Sequence, residues 1–190
     1  MLTSFIWLAA ALALLAYAII IYNGLVNLKH AIGKAWSNID VLLKQRHDEL
    51  PKLVETCRQH MQFERSALEQ VMAARAGSQQ AREAGDIRAV GQAESRLRGG
   101  LGSIIATVEA YPELKADHSI QQLLGRITGL ENAIADRREF YNETVNLNNV
   151  RIEQFPDVLI ARLFTFRAAE LLQFSADETR DVDLHALFSR

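Results

Sequence analysis

The chain has 190 residues, enough for one small domain and an additional segment. Its formal net charge of -2 produces no large field of one sign, which argues against a nucleic-acid-binding protein. Cys57 is the only cysteine, so an intramolecular disulfide and a zinc site built from cysteines are both excluded.

Residues 1–28 are the most apolar part of the sequence and contain no charged side chain. About 20 apolar residues in a helix cross a bilayer, so this segment is predicted to be a transmembrane anchor. A cleaved signal peptide is the alternative, but it would have a basic region before its apolar core. Trp7 and Tyr22 are expected at the two membrane interfaces. Lys29 and Lys34 follow the span, so the positive-inside rule predicts an N-terminus outside and a body in the cytoplasm.

A pattern of small and amide side chains within the anchor predicts an assembly face. These side chains recur at steps of three and four, which places them on one side of a helix. The six positions are Ala9, Ala13, Ala16, Ile20, Asn23 and Asn27. Small residues let membrane helices approach closely, and asparagines can hydrogen-bond between chains, so homo-oligomerisation is expected. The alternative is that the alanines only face lipid and the asparagines are hydrated.

The remainder of the chain is predicted to be helical, because no segment alternates apolar and polar residues with a period of two. Apolar periodicity predicts long helices over residues 25–76, 87–111 and 120–152. A short amphipathic helix is expected to begin at Asp157, and residues 174–190 form a polar tail. Long helices with short connections must pack against each other to bury their apolar stripes. The predicted fold is therefore all-α: a transmembrane helix, then an elongated antiparallel bundle of three long helices and a short fourth, ending at residue 173.

Several residues mark the predicted helix ends. Asp86 is a plausible N-cap of the second helix, and Pro112 should end it. Asp117 or Ser119 is expected to cap the third helix. Three glycines inside the second helix predict either a close approach by another helix or a hinge. They are Gly99, Gly100 and Gly102.

In the stretch AWSNIDVLLKQRHDELPKLVE, residues 35–55, apolar residues recur with the spacing of a helix. Arg46 occupies a position of this stripe where an apolar residue is expected, and Pro51 lies inside the same helical run. Because a buried arginine is costly unless it is paired, Arg46 is predicted to meet an acceptor on the third helix. The candidates are Tyr141, Asn142, Glu143 and Asn148. Pro51 removes one backbone hydrogen bond and is predicted to bend a continuous helix. The alternative is that Asp48 caps a second helix, with Pro51 in its first turn and Arg46 in solvent.

No catalytic residue, metal ligand or cofactor site is predicted. His47 and Asp48 are the most ligand-like pair, but no second ligand completes the spacing that a helical metal site requires. His60 and His118 stand alone. The glycines of the second helix do not lie at a helix start, so they cannot bind phosphate as a P-loop does. The protein is therefore expected not to be an enzyme.

Five segments resemble the LemA family of bacterial membrane proteins, and they occur in order between Tyr22 and Phe166. They are YNGLVNLKHAI, AWSNIDVLLKQRHDELPKLVE, VEAYPELKAD, LENAIADRREFYNETV and QFPDVL. The resemblance implies a single-pass protein of the bacterial cytoplasmic (inner) membrane, with a cytoplasmic helical bundle and no established catalytic activity. Some members of the family are tied to the formation of internal bacterial membranes, and others are encoded beside membrane metalloproteases. Leu147 and the tail after Phe166 depart from the family pattern.

Two classes of function follow from these observations. The first is a membrane-anchored helical scaffold that self-associates and organises or shapes the bilayer. The second is a regulatory adaptor that presents its helices to another membrane protein such as a protease. Large homo-oligomers would favour the first class, and a stoichiometric complex with a different protein would favour the second.

Overall fold

A computed structural model describes residues 2–60 and 63–173, so the tail predicted over residues 174–190 lies outside the described residues. Every regular element in this part of the chain is an α-helix, which confirms the predicted all-α class. The six helices are α1 (Leu2–Arg58), α2 (Arg65–Ala84), α3 (Ile87–Ala110), α4 (Pro112–Ala116), α5 (His118–Glu153) and α6 (Asp157–Leu163).

The N-terminal segment of α1 is long and apolar enough to cross a membrane, and no other described helix is. Its large apolar side chains from Leu2 to Ile20 are more than half exposed. Exposed apolar side chains over this length are what a membrane span requires and what a soluble surface avoids.

The helix predicted over residues 25–76 is wrong in two respects, because α1 already ends at Arg58 and a separate helix α2 runs from Arg65 past residue 76 to Ala84. The backbone N–H groups of Gln59 and His60 donate to carbonyls three residues earlier, which tightens and ends the last turn. The break allows α2 to bury a stripe of its own against α3. The buried α2 residues are Leu68, Val71, Ala74, Ser78 and Ala81.

The other predicted helix ends agree with the structure. The Asp86 side chain accepts a hydrogen bond from the backbone N–H of Ala89 at 2.8 Å, so Asp86 caps α3. Pro112 follows the end of α3 and begins the short helix α4. Asp117, rather than Ser119, caps α5, because its carboxylate accepts from the backbone N–H of Ser119 at 2.8 Å. The short helix predicted at Asp157 is α6.

The chain divides into two compact units. Among the described residues, the first unit comprises residues 2–41 and 134–171, and the second comprises residues 42–60, 63–133 and 172–173. The core of the second unit draws on five helices. Its buried apolar residues are Leu50, Leu53, Val54, Cys57, Leu68, Val71, Ala74, Leu97, Leu101, Ile104, Val108, Leu114, Ile120, Leu124 and Ile127.

Of the glycines Gly99, Gly100 and Gly102 in α3, one marks a close helix approach within this core. A Cβ added at Gly100 would lie 2.7 Å from Cγ2 of Val71 on α2, so only glycine fits there without a shift. Added Cβ atoms at Gly99 and Gly102 would meet nothing within 4 Å. The close-approach interpretation therefore holds for Gly100 and not for its two neighbours.

In the first unit, α6 packs on α1. Ile21 and Leu25 of α1 and Ala161 of α6 are buried together, with Ile160 and Phe166 packed against them. α5 also contacts α1 in this unit, where the ring of Trp36 lies edge-on to the ring of Tyr141 at 5.9 Å.

Candidate functional site

A group of charged side chains lies inside the second unit. Arg46 on α1 is 2 % exposed and donates hydrogen bonds to Glu94 on α3 and to Glu131 on α5. Ser78 on α2 donates to Glu94, and Nε of Arg98 on α3 donates to Glu131 at 2.9 Å. We call these five residues the buried charge network.

The network is electrically balanced, since two guanidinium groups face two carboxylates. Burial alone would lower the pKa of Arg46, but the negative charges of Glu94 and Glu131 outweigh it and raise that pKa. Arg46 therefore stays charged. Its Nε is buried and has no hydrogen-bond partner, so the pairing satisfies the guanidinium incompletely. Such a network holds four helices in one register more than it adds stability.

Arg46 is buried and pairs with an acceptor on the third predicted helix, as expected, but that acceptor is Glu131 and none of the four candidate residues. Tyr141, Asn142, Glu143 and Asn148 belong to the first unit, whereas Arg46 and both of its carboxylate partners belong to the second. Glu94 was visible in the sequence as an acidic residue at an apolar heptad position of the second predicted helix. A buried arginine and a carboxylate in another stripe are complementary, and this was the signal that could have identified the pair.

Pro51 lies inside α1, which continues without a break from Leu2 to Arg58. The alternative in which Asp48 caps a new helix is therefore wrong, and Asp48 is an exposed residue within α1. Since proline has no N–H, the carbonyl of His47 loses its helical donor. Nε of Arg75 on α2 donates to that carbonyl at 2.9 Å, so α2 supplies the missing hydrogen bond.

The other reactive side chains of the second unit show no arrangement typical of catalysis. Burial, followed by the positive charge of Arg75, lowers the pKa of His47. Burial also raises the pKa of the Cys57 thiol to about 12, so Cys57 is protonated and unreactive at neutral pH. Within residues 2–60 and 63–173, no three His, Cys, Asp or Glu side chains gather in a group that could hold a metal ion.

A second polar cluster fastens residues 165–171, which we call the C-terminal strap, to α5 in the first unit. The Tyr141 hydroxyl donates to the carbonyl of Glu170 at 2.9 Å, and burial raises the pKa of Tyr141. Asn149 exchanges two hydrogen bonds with the backbone of Ala169, at 2.9 and 3.0 Å. The Asn148 amide donates weakly to the carbonyl of Arg167 at 3.4 Å. Tyr141 and Asn148 were predicted as partners of Arg46 and bind the strap instead. Asn149 was not predicted, although it stands in the asparagine-rich run NLNN.

The residues predicted to face the membrane or another chain are exposed on α1. They are Trp7, Ala9, Ala13, Ala16, Ile20, Asn23, Asn27, Lys29 and Lys34. The ring of Tyr22, the predicted interfacial residue, packs at a tilt against the ring of Phe164 with centres 4.7 Å apart and lies edge-on to the ring of Phe166 at 5.9 Å. The assembly role of the alanine and asparagine face stays a prediction.

A cleft of about 570 Å³ lies in the first unit beside these aromatic rings. Lys29 and His30 of α1 and Arg167 of the strap line it, together with Tyr22 and Phe164. The cleft combines cationic and aromatic walls and contains no carboxylate among its lining residues, so its chemistry suits an anionic group rather than a metal ion.

Comparison with known proteins gives a consistent family assignment. The chain is 24 % identical over 187 residues to the magnetosome proteins MamQ 1 and MamQ 2 of Paramagnetospirillum magneticum, covering 86 % of this chain and 69 % of each relative. It is 23 % identical over 172 residues to the magnetosome protein MamQ of Magnetospirillum gryphiswaldense, covering 78 % of this chain and 63 % of that protein. The sequence profile of the LemA family matches residues 35–185. The chain therefore belongs to the LemA family.

Proposed function

We propose that this protein is a non-enzymatic, membrane-anchored helical scaffold that self-associates and organises or shapes a bacterial membrane. The observation that carries the proposal is the continuity of α1. One helix of 57 residues runs from the apolar segment at its N-terminus through Arg46 and Pro51. The anchor is therefore joined to the rest of the chain by a continuous helix and not by a flexible linker.

The relatives support a role linked to membranes. The three MamQ proteins are described as magnetosome proteins, and the family resemblance predicted a connection with internal bacterial membranes. We extend that connection to this chain and place it in the bacterial cytoplasmic membrane. Lys29 and Lys34 lie just beyond the apolar segment, which supports a body on the cytoplasmic side.

Self-association is proposed to use the face of Ala9, Ala13, Ala16, Ile20, Asn23 and Asn27. All six side chains are exposed in a single chain, so they are accessible to a second copy. Alanines at the depth of the bilayer permit close packing, and Asn23 and Asn27 can hydrogen-bond between chains near the membrane edge. Each such hydrogen bond contributes roughly 1 kcal/mol.

The second candidate is a regulatory adaptor of another membrane protein, and one surface favours it. Phe140, Leu147 and Val150 on α5 are spaced by seven and three residues, so they share one face of the helix. Each is about half exposed, at 50 to 53 %. An exposed apolar stripe at this spacing suits another helix, either of a second copy or of a different protein.

Imaging of the full-length protein, purified in mild detergent from its own membrane, separates the two candidates. The scaffold predicts particles that contain several copies of this chain and no other protein in fixed ratio. A stoichiometric complex with a different protein would favour the adaptor function over the scaffold function. A single-chain particle without partners would contradict both functions.

A further inference from the structure

The exposed apolar side chains at the end of the first unit are concentrated on one corner. The polypeptide turns after α5, and Phe155 in the turn is 76 % exposed. Leu159 and Leu163 of α6 are 59 % and 71 % exposed, and their spacing of four residues places them on the same face. We call Phe155, Leu159 and Leu163, with the neighbouring Phe164, the α6 corner.

The opposite side of α6 is fixed to α1. Ala161 is buried against Ile21 and Leu25, and these are the first large apolar side chains of α1 to be buried. The carboxylate of Asp157 accepts hydrogen bonds from Nε and Nη2 of Arg151 on α5 at 2.7 and 2.6 Å. α6 therefore has an anchored face and a free apolar face, and its height along α1 is set by Ile21 and Leu25.

That height coincides with the expected edge of the bilayer. At 1.5 Å per residue, the helix rises about 28 Å from Leu2 to Ile21, which is close to the thickness of the hydrocarbon core. Tyr22 follows directly, and its ring packs against the rings of Phe164 and Phe166. Tyrosine is a residue type enriched where a span leaves the hydrocarbon.

We propose that the α6 corner is a second membrane contact, which lies in the lipid interface beside the transmembrane part of α1. The inference rests on the proposed membrane span. Phe155, Leu159 and Leu163 insert among the acyl chains next to the headgroups, while Arg162 extends toward lipid phosphates. Arg162 and Lys29 are exposed, and their charge complements an anionic bilayer surface.

This contact has a mechanical consequence. A single helix can tilt and rotate in a bilayer, whereas two contacts at the same level restrict both motions. Because α6 is packed on α1, a tilt of α1 away from the α6 side would lift the α6 corner out of the lipid interface. The α6 corner therefore resists such a tilt. The first unit is thereby held at a defined angle to the bilayer plane.

Environment-sensitive labels on single introduced cysteines test the inference in the full-length protein. The labelled variants are Leu163→Cys and Leu159→Cys in the α6 corner, Leu12→Cys in the anchor and Asn38→Cys on an exposed part of α1. Cys57 is buried and its thiol has a pKa of about 12, so the label is directed to the new cysteine. The protein is reconstituted in vesicles of phosphatidylethanolamine and phosphatidylglycerol, with iodide as the aqueous quencher and nitroxide lipids as the membrane quencher.

The inference predicts that nitroxide lipids quench the labels at positions 159 and 163 and that iodide quenching falls well below that of the Asn38→Cys label. If iodide quenched both corner labels as strongly as the Asn38→Cys label, while nitroxide lipids quenched the Leu12→Cys label, the inference would be overturned and the anchor would stand. Labels protected from both quenchers would mean that a second copy covers the corner, which also overturns it. A Leu12→Cys label accessible to iodide would contradict the anchor itself.

Discussion

At the level of single residues, Arg46 is the central side chain of the buried charge network in the second unit. It is buried among four helices and its charge is met by Glu94 and Glu131, with Ser78 and Arg98 completing the network. A buried ion pair is costly to form, but it is still more costly to break by removing one partner. The network therefore selects one arrangement of α1, α2, α3 and α5 over arrangements with shifted registers.

Replacement of Arg46 by alanine should lower the free energy of unfolding by about 3–5 kcal/mol, because Glu94 is left buried without its cation. Thermal melting of the full-length protein in mild detergent, followed by circular dichroism, measures the change. Arg65→Ala is the matched control, since that side chain is 92 % exposed and its removal should change stability little. Equal melting temperatures for Arg46→Ala and the wild-type protein would exclude a structural role for the network.

Cys57 provides a prediction about pH. Its thiol pKa is raised from 9.0 to about 12 in the folded protein, mainly by burial and further by Asp117. The folded state therefore holds its proton more tightly than the unfolded state, and this stabilising effect is lost as the pH rises from about 9 toward 12. A maleimide should react with native Cys57 far more slowly than with Asn38→Cys at neutral pH. Comparable rates would show that Cys57 is not buried.

The sequence was sufficient to identify Arg46 and Pro51 as anomalies in an apolar helical stripe, but not their partners. Partner choice depends on which helices become neighbours, and that is decided by long-range packing of several stripes at once. The hydrogen bond from Arg75 to the carbonyl of His47 illustrates the difficulty. Pro51 shows that this carbonyl lacks its helical donor, but it does not show which side chain donates instead.

At the level of helices, the close contact between α2 and α3 depends on Gly100. The Cγ2 atom of Val71 occupies the space that a larger residue would need, and valine is stiff about its first side-chain torsion. The contact explains why a helix-disfavouring glycine stands in the middle of α3.

Gly100→Ala should destabilise the protein by about 1–3 kcal/mol, because the added methyl group overpacks the contact. Gly99→Ala and Gly102→Ala are matched controls on the same helix, where nothing lies within 4 Å of an added Cβ. Both should stabilise by up to about 1 kcal/mol through the higher helix propensity of alanine. Denaturant unfolding measures all three, and similar shifts for the three variants would contradict the close approach at Gly100.

Local signals fixed most helix ends correctly. Asp86, Pro112, Asp117 and Asp157 mark boundaries in the structure because caps and prolines act through neighbouring backbone groups. The break between Arg58 and Arg65 was missed, since apolar periodicity continues across it with a drift of only one residue. That break exists because α2 packs on α3, and such tertiary packing is not encoded in the local pattern.

At the scale of the whole molecule, the proposed topology places the body in the cytoplasm. A fusion of alkaline phosphatase after Arg190 should therefore be inactive, and a fusion of green fluorescent protein at the same point should fluoresce. Lys29 and Lys34 are the physical basis of this expectation. Phosphatase activity from the first fusion would place the body on the opposite side of the membrane.

Anchored chains are proposed to assemble through one face of the membrane helix. A variant carrying Ala13→Leu, Ala16→Leu, Asn23→Ala and Asn27→Ala removes both close packing and the interchain hydrogen bonds from that face. An alanine-to-leucine change at Ala11, which is exposed on the opposite side of the helix, serves as the control for added bulk.

The decisive measurement is the mass of the full-length particle in mild detergent, determined by light scattering. We expect a particle of several chains for the wild-type protein and for the control, and a smaller particle for the fourfold variant. An unchanged particle mass in the fourfold variant, or a wild-type protein of one chain, would contradict it.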